Sequence, residues 1–225
     1  MAQQATVATV PAPPPAGPAG PDHYFRAEPT APSRRRTVEL ALPEGRLLRL
    51  ATDRGTFSPD RVDPGTRVLL AEGPPIAPAG GAVLADVGCG YGPIAVALAL
   101  RAGPSSVVWA VDVNERARDL CRENAEAAGV ADRVRVVGPA DLPAGLVVDQ
   151  VWSNPPIRIG KAALHELLDG WLGRLRPGSG IAALVVQRHL GADSLARHLA
   201  EAGWPTERLA SRQAYRVLRV GPGEA

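Results

Sequence analysis

The sequence predicts an α/β domain of the doubly wound type, with a mostly parallel sheet and helices on both of its faces. From residue 82 onwards, apolar runs of strand length alternate with segments of helical periodicity. The runs at 82–87 and 147–152 are almost continuously apolar, as expected of strands that helices cover on both faces. The last two strand-like segments follow each other without a helix, which predicts an antiparallel pair at the C-terminal end.

The elements follow in a regular order. We predict strands at 82–87, 107–111, 133–137, 147–152, 181–187, 207–211 and 215–220. We predict helices at 93–102, 115–128, 161–175 and 193–202. Asn114 is placed to cap the second helix, and Asp193 or Ser194 to cap the fourth, because short polar side chains accept hydrogen bonds from the free N–H groups of a first turn.

The residues before this domain differ in composition. Residues 1–21 carry no charged residue and consist mostly of Ala, Pro, Gly, Gln, Thr and Val, which predicts a disordered tail. Residues 22–80 are rich in turns, and the apolar stretches at 37–42 and 46–50 predict a β-hairpin. We therefore expect three parts: the tail, a hairpin or cover segment at 22–80, and the α/β domain at 81–221.

Composition excludes several classes of protein. The chain has 225 residues, 45% of them hydrophobic, and a net charge of +2, which excludes a histone-like composition without excluding nucleic-acid binding. Cys89 and Cys121 are too few for a disulfide framework, and the four histidines show no metal-ligand spacing. There is no apolar run of about 18 residues and no secretory signal pattern. We expect a cytoplasmic protein without a metal.

A glycine-rich loop follows the first strand of the domain. The run 85–92 reads ADVGCGYG, and the glycines allow a ligand to approach the backbone closely. A dinucleotide-binding loop would have its third glycine at position 93, where this chain has Pro93. Asp112 lies 24 positions after Gly88, at the end of the next strand, where a carboxylate accepts hydrogen bonds from ribose hydroxyls. Asp141, after the third strand, is either placed to meet an adenine edge or an ordinary loop carboxylate.

The fourth strand runs into a stiff segment that begins Asn154-Pro155-Pro156. Proline restricts both its own backbone and that of the preceding residue. Rigidity at the carboxyl end of a strand, beside a ligand crevice, favours precise positioning of a reacting group.

These motifs carry a resemblance. Asp86–Gly92, Asp112 and Asn154-Pro155-Pro156 resemble the motifs of class I AdoMet-dependent amino-methyltransferases. Residues 22–220 resemble the methyltransferase small-domain family, which includes the ribosomal-RNA guanine-N2 methyltransferases. The segments that carry this closer resemblance are His23-Tyr24-Phe25, Gly55-Thr56-Phe57-Ser58, Asp63-Pro64-Gly65-Thr66 and Asn154–Lys161.

The resemblance implies a Rossmann-like, seven-stranded class I methyltransferase fold and S-adenosyl-L-methionine (AdoMet) as cofactor. It implies cofactor-binding roles for Asp86, Gly88, Gly90, Tyr91, Gly92, Asp112, Val113, Asp141 and Asn154. It implies catalytic roles for Asn154, Pro155 and Pro156, and substrate-binding roles for Phe57, Ile157, Arg158 and Lys161. Phe57, Ser58 and Thr66 are expected to cover the cofactor, although in an isolated turn and hairpin such residues are more often structural.

The chemistry of the motif agrees with the resemblance. The lone pair of an exocyclic purine amine is delocalised into the ring, so the amine is a poor nucleophile. We hypothesise that the Asn154 amide oxygen and the Pro155 carbonyl accept its N–H groups and direct the lone pair at the sulfonium methyl. Many relatives have an aromatic residue after the two prolines, where this chain has Ile157, which contacts the substrate or simply packs at the strand end. Arg158 and Lys161 either contact substrate phosphates or form a solvated helix start.

The leading prediction is methylation of a guanine N2 amine in ribosomal RNA, either free or in a ribosomal subunit. The alternatives are a protein-glutamine N5 methyltransferase, a small-molecule (natural-product) N-methyltransferase, and a binding module without activity. Charge is unevenly distributed: residues 30–67 carry +3 and residues 174–225 carry +4, whereas residues 68–173 carry −4. The basic flanks are where we expect an RNA backbone to lie.

Overall fold

A computed structural model describes residues 32–76 and 81–221. The strands are β1 (Arg35–Ala41), β2 (Leu47–Asp53), β3 (Val83–Val87), β4 (Val107–Val111), β5 (Val134–Val137), β6 (Gln150–Ser153), β7 (Ile181–Gln187), β8 (Thr206–Arg212) and β9 (Tyr215–Val220). The helices are α1 (Pro64–Glu72), α2 (Pro93–Arg101), α3 (Glu115–Ala127), α4 (Lys161–Leu172) and α5 (Ala192–Glu201). The expected tail at 1–21, the His23-Tyr24-Phe25 motif and residues 77–80 lie outside the described residues.

Strands β3 to β9 form one sheet with the order β5-β4-β3-β6-β7-β9-β8. The neighbours from β5 to β7 are parallel, and β9 pairs antiparallel with both β7 and β8. The direction of winding reverses between β3 and β6, which opens a crevice at the carboxyl ends of these strands. The predicted doubly wound α/β fold with a C-terminal antiparallel pair is confirmed.

The core lies on both faces of this sheet. Alternate residues of a strand point to opposite faces, so Leu84 and Trp152 belong to one apolar cluster while Ala85 and Val151 belong to the other. The first cluster includes residues of α1, α2, α3 and the β1–β2 hairpin; the second includes residues of α4 and α5. Burial on both faces explains why the parallel strands are mostly apolar.

The N-terminal segment packs on the α/β domain through buried amides. Asn124 of α3 accepts a hydrogen bond from the Ala51 N–H at 2.7 Å and donates one to the Ala51 carbonyl at 2.9 Å. One side chain thus pairs with both backbone groups of a β2 residue on the side where no further strand lies. The same amide donates to the Tyr91 carbonyl at 2.8 Å. Asn114 donates to the Gly55 carbonyl at 2.9 Å. The hairpin is therefore joined directly to α3 and, through Asn124, to the glycine-rich loop.

Helix α1 is the main difference from the sequence-based expectation, which has no helix before residue 93. Asp63 caps it by accepting hydrogen bonds from Gly65 N and Thr66 N, and Pro64 occupies the first helical position. The helix has nine residues and opens with Pro-Gly, so its sequence resembles a turn more than a helix. It packs against β7 and β9, and this packing supplies stability that a helix of this length lacks alone.

Three of the differences between predicted and observed element ends have an identifiable structural cause. Strand β6 begins at Gln150, because the backbone of Val148 bonds to Arg174 and Arg176 after α4 instead of entering the sheet. Helix α4 correspondingly ends at Leu172. Helix α5 begins after Gly191, whose φ of 97° is left-handed, so the predicted cap by Asp193 or Ser194 is wrong. The predicted cap by Asn114 is confirmed, since its side chain accepts from Ala117 N.

Candidate cofactor and substrate cleft

A cleft of about 490 Å³ lies at the carboxyl ends of β3, β4, β6 and β7. This volume is within the range of small-molecule sites. The structure brings together in it eleven of the predicted residues: Phe57, Ser58, Gly88, Gly90, Asp112, Val113, Asn154, Pro155, Pro156, Ile157 and Arg158. The cleft therefore unites the glycine-rich loop and the Asn-Pro-Pro segment in one space.

The glycines of the loop have two different tasks. Gly88 and Gly90 have φ values of 74° and 55° and face the cleft. A Cβ on Gly90 would meet no protein atom within 4 Å, so this space is open to a ligand. Gly92 has a φ of 88°, and a Cβ there would lie 2.6 Å from the sulfur of Cys121. Gly92 does not line the cleft; it allows α2 and α3 to pack closely.

Asp112 joins the loop to the end of β4. Its Oδ2 accepts a hydrogen bond from Gly90 N at 2.9 Å, and its Oδ1 accepts one from Asn114 N at 2.8 Å. Burial raises the pKa of this carboxyl, and the two N–H donors oppose that effect. Each carboxylate oxygen keeps further acceptor capacity, which suits Asp112 to receive ligand hydroxyls.

Asp86 lies behind the loop and not in the cleft. Its Oδ2 accepts from Ala95 N at 2.8 Å, and its Oδ1 is buried without a hydrogen-bond partner among the described residues. Burial raises the pKa of Asp86 to about 8. The predicted contact of Asp86 with a cofactor is therefore not a direct one in this geometry. A cationic ligand at this end of the cleft would favour the ionised form of both carboxyls.

The segment after β6 has its own network. The Ser153 hydroxyl donates to the Val87 carbonyl at 2.7 Å and holds β6 beside β3. The Asn154 Nδ2 donates to Asp63 Oδ1 at 2.8 Å and to Thr66 Oγ1 at 3.1 Å. The Pro155 carbonyl accepts from Ile157 N at 2.8 Å, which leaves one lone pair for a ligand.

Five more predicted residues do not line the main cleft. Tyr91 is buried against a small cavity next to it, and Thr66, predicted as cover, lines that cavity too. Gly92 packs on α3, as described above. Asp141 is exposed and accepts from Gly138 N at 3.3 Å, while Pro139 lines the cleft instead. Lys161 is exposed at the start of α4.

The structure also adds residues that sequence reasoning missed. They form the part of the cleft beyond Asn154 and are Asp63, Leu167, Trp171, Gln187, Leu190 and Tyr215. Gln187 and Tyr215 are paired across β7 and β9, which the sequence does not reveal. Of these six residues, only Asp63 has a local sequence pattern that marks it, because an aspartate before Pro-Gly-Thr is typical of a helix cap.

Among the described residues, no group of three or more His, Cys, Asp or Glu side chains is placed to hold a metal ion. Within the same residues, none of the helices is both long and apolar enough to cross a bilayer.

Residues 47–219 match the family described as the methyltransferase small domain. An uncharacterized protein of Bacillus subtilis (strain 168), YbxB, is 30% identical over 204 residues, which cover 88% of this chain and 98% of that protein. The ribosomal RNA small subunit methyltransferase C of Shewanella sp. (strain MR-4) is 32% identical over 178 residues, 75% of this chain and 48% of that protein.

Among solved structures, the T. thermophilus 16S rRNA N2 methyltransferase (RsmC) in complex with AdoMet and guanosine has the same fold. The TM-score is 0.70 at 24% identity, over 84% of this chain and 51% of that chain. The present chain thus spans about half the length of these ribosomal RNA methyltransferases and nearly all of the Bacillus protein.

Proposed function

The chain belongs to the methyltransferase small-domain family, a family of AdoMet-dependent enzymes, and we propose that it methylates the N2 amine of a guanine in ribosomal RNA. The observation that carries the proposal is the position of Asn154-Pro155-Pro156 in the same cleft as Gly88 and Asp112. A group that directs a planar amine therefore lies beside a site that suits a nucleoside cofactor.

The residues present fit AdoMet. The open backbone at Gly88 and Gly90 offers close approach, and Asp112 offers carboxylate oxygens for ribose hydroxyls. The carboxylate of Asp112 lines the cleft and attracts a cationic ligand, whereas Asp86, with a pKa of about 8, keeps its proton at neutral pH. When bound, AdoMet supplies an electrophilic methyl group on a positively charged sulfur.

The Asn154 amide is placed to act on the amine of the substrate. Its nitrogen already donates to Asp63 and Thr66, so its oxygen is the amide atom that remains to accept an N–H. The second N–H of the amine has the free lone pair of the Pro155 carbonyl as acceptor. Two such bonds orient the nitrogen lone pair without a strong general base, and the proton leaves after methylation.

The cleft beyond Asn154 suits a planar ring. Leu167 and Leu190 provide apolar walls together with the rings of Trp171 and Tyr215, which supplies aromatic surface although Ile157 is aliphatic. The Gln187 side chain has both a donor and an acceptor and makes no hydrogen bond with the described residues. An amide in this position is able to read the polar edge of a purine.

The mouth of the cleft supports a nucleic-acid substrate. Arg158, Lys161 and Arg188 are exposed, and none of them forms an ion pair with a carboxylate of the described residues. Arg158 lines the cleft, and Arg188 follows Gln187 at the end of β7. Unpaired guanidinium groups bind phosphates well. We expect the protein to act in the cytoplasm, on ribosomal RNA or a ribosomal subunit.

In the decisive experiment, the purified protein and tritiated AdoMet are incubated separately with total RNA, total protein or a small-molecule extract, each prepared from a strain that lacks the gene. We expect label in ribosomal RNA, in a nucleoside that mass spectrometry identifies as N2-methylguanosine. The same nucleoside is then absent from ribosomal RNA of the deletion strain and is restored by the wild-type gene. Label confined to protein or to small molecules would overturn the proposal in favour of the corresponding alternative.

A further inference from the structure

The Asn154 amide is held by the N-terminal segment rather than by its own strand. Both acceptors of its nitrogen, Asp63 Oδ1 at 2.8 Å and Thr66 Oγ1 at 3.1 Å, belong to the first turn of α1 or to its cap. Asp63 and Asn154 are 91 positions apart. The family resemblance implies no task for Asp63, and for Thr66 it implies only a place in the cover over the cofactor.

We propose that Asp63, assisted by Thr66, is a positioning residue that fixes the Asn154 amide with its oxygen towards the substrate amine. This proposal rests on the proposed function, because it concerns the same amide and the same acceptor atom. Without these contacts an asparagine side chain has two orientations of similar shape, and only one of them presents an acceptor. A carboxylate accepts hydrogen bonds and does not donate them, so it selects the orientation with the nitrogen towards Asp63.

Asp63 is itself held rigidly. The same Oδ1 that accepts from Asn154 also accepts from Gly65 N at 2.8 Å and from Thr66 N at 3.2 Å. Tyr215 packs against this turn, since a Cβ on Gly65 would lie 2.7 Å from its ring. The helix cap therefore provides a rigid support, and the position of the Asn154 oxygen is defined through it.

The charge of Asp63 adds to the effect of orientation. A hydrogen bond to an ionised acceptor is stronger than a neutral one and polarises the donor, so the Asn154 oxygen becomes a better acceptor. The charge of Asp63 also acts on other groups of the site. Burial is the main reason that the pKa values of Tyr91 and Tyr215 are raised, and the negative charge of Asp63 raises both further.

Two substitutions separate the contact from the helix cap. Asp63→Ser keeps a good cap. The serine side chain is shorter than that of aspartate by one bond of about 1.2 Å, so its hydroxyl does not reach Asn154. Asp63→Asn keeps an oxygen in the same place and loses only the charge.

Under saturating RNA and AdoMet, we expect Asp63→Ser to lower kcat by about 10- to 100-fold, with KM for RNA and Kd for AdoMet within about threefold of wild type. Asp63→Asn should recover kcat to within about fivefold of wild type.

A structural role alone predicts a different pattern. It would lower the melting temperature of Asp63→Ser and would leave kcat of the folded fraction unchanged. We expect the two variants to melt within about 2 °C of each other, because serine and asparagine are comparable caps. A wild-type kcat in Asp63→Ser, or an Asp63→Asn variant as impaired as Asp63→Ser, would overturn the proposal.

A second measurement needs no substrate. The chain has three asparagines, so the side-chain amide signals of Asn154 are identified as the pair that Asn154→Ala removes from a ¹⁵N spectrum. We expect this pair to shift strongly in Asp63→Ser and only slightly in Asp63→Asn. An unchanged pair in Asp63→Ser would contradict the contact, whatever the substrate. If the wild-type protein methylates no RNA while the pair shifts as expected, the proposed substrate is wrong and the positioning contact stands.

Discussion

The two halves of the cleft are built in different ways. The cofactor half comes from one strand–helix–strand unit, in which Gly90 and Asp112 are 22 positions apart and joined by a hydrogen bond. The substrate half combines Asn154 after β6 with Asp63 before α1 and Tyr215 at the start of β9. Since few contacts are shared, we expect cofactor binding and substrate positioning to be impaired separately.

The largest effect is expected from Asn154→Ala, which removes the acceptor in the substrate half. Methyl transfer in a single turnover should slow by about 10³-fold, because the amine is no longer directed. The Kd for AdoMet, measured by calorimetry, should stay within about threefold of wild type, since Gly88, Gly90 and Asp112 are unchanged; a larger rise would support the cofactor-binding role that the resemblance implies for Asn154. A single-turnover rate near that of wild type would contradict the role of the amide.

The reverse result is expected from Asp112→Ala. The Kd for AdoMet should rise by about 10- to 100-fold, as expected for the loss of charge-assisted hydrogen bonds. At saturating AdoMet, kcat should fall much less than in Asn154→Ala. If kcat of Asp112→Ala fell as far as kcat of Asn154→Ala, cofactor binding and substrate positioning would not be impaired separately.

Asp86 gives the cofactor half a pH dependence. Burial raises its pKa from 3.8 to about 8, so the folded protein keeps a proton that the unfolded chain releases. The free energy of unfolding should therefore fall as the pH rises from about 4 to 8. Asp86→Asn removes this titration, so wild type should lose stability relative to the variant over that range. Urea unfolding of ligand-free protein at several pH values measures the difference, and parallel profiles would refute it.

A smaller effect is expected from Gln187→Ala in the substrate half. Loss of one polar contact to the base should lower kcat/KM for RNA by about five- to tenfold. Gln213→Ala is the matched control, because Gln213 is exposed in the turn between β8 and β9. Equal losses in the two variants would show that Gln187 does not contact the substrate.

The smallest effect is expected from Arg158→Ala at the mouth of the cleft. The Kd for RNA should rise a few-fold, and the slope of log K against log salt should decrease by about 1 for one lost phosphate contact. Arg135→Ala is the control, since Arg135 is exposed on the edge strand β5 and lies outside the two basic flanks. An unchanged salt slope in Arg158→Ala would remove this residue from the RNA path.

Much of the fold was predictable from the sequence. All seven strands of the sheet match predicted segments within a few residues. The five parallel strands were recognisable because they are mostly apolar and alternate with helices. Helix α1 was missed, since its nine residues depend on packing against β7 and β9. The predicted strand at 147–152 was too long for a similar reason: Val148 bonds to the turn after α4, and periodicity carries no information on such a partner.

The sequence by itself determined the order of the elements, the glycine-rich loop with Asp112, and the Asn-Pro-Pro segment, because each depends on neighbours in the chain. Only the tertiary structure decided that Asp63 holds the Asn154 amide, and that Asp86 and Gly92 support the loop from behind. It alone also placed Gln187 and Tyr215 beside each other in the cleft. Contacts between distant segments depend on how helices and strands pack, and packing is a property of the whole core rather than of any local pattern.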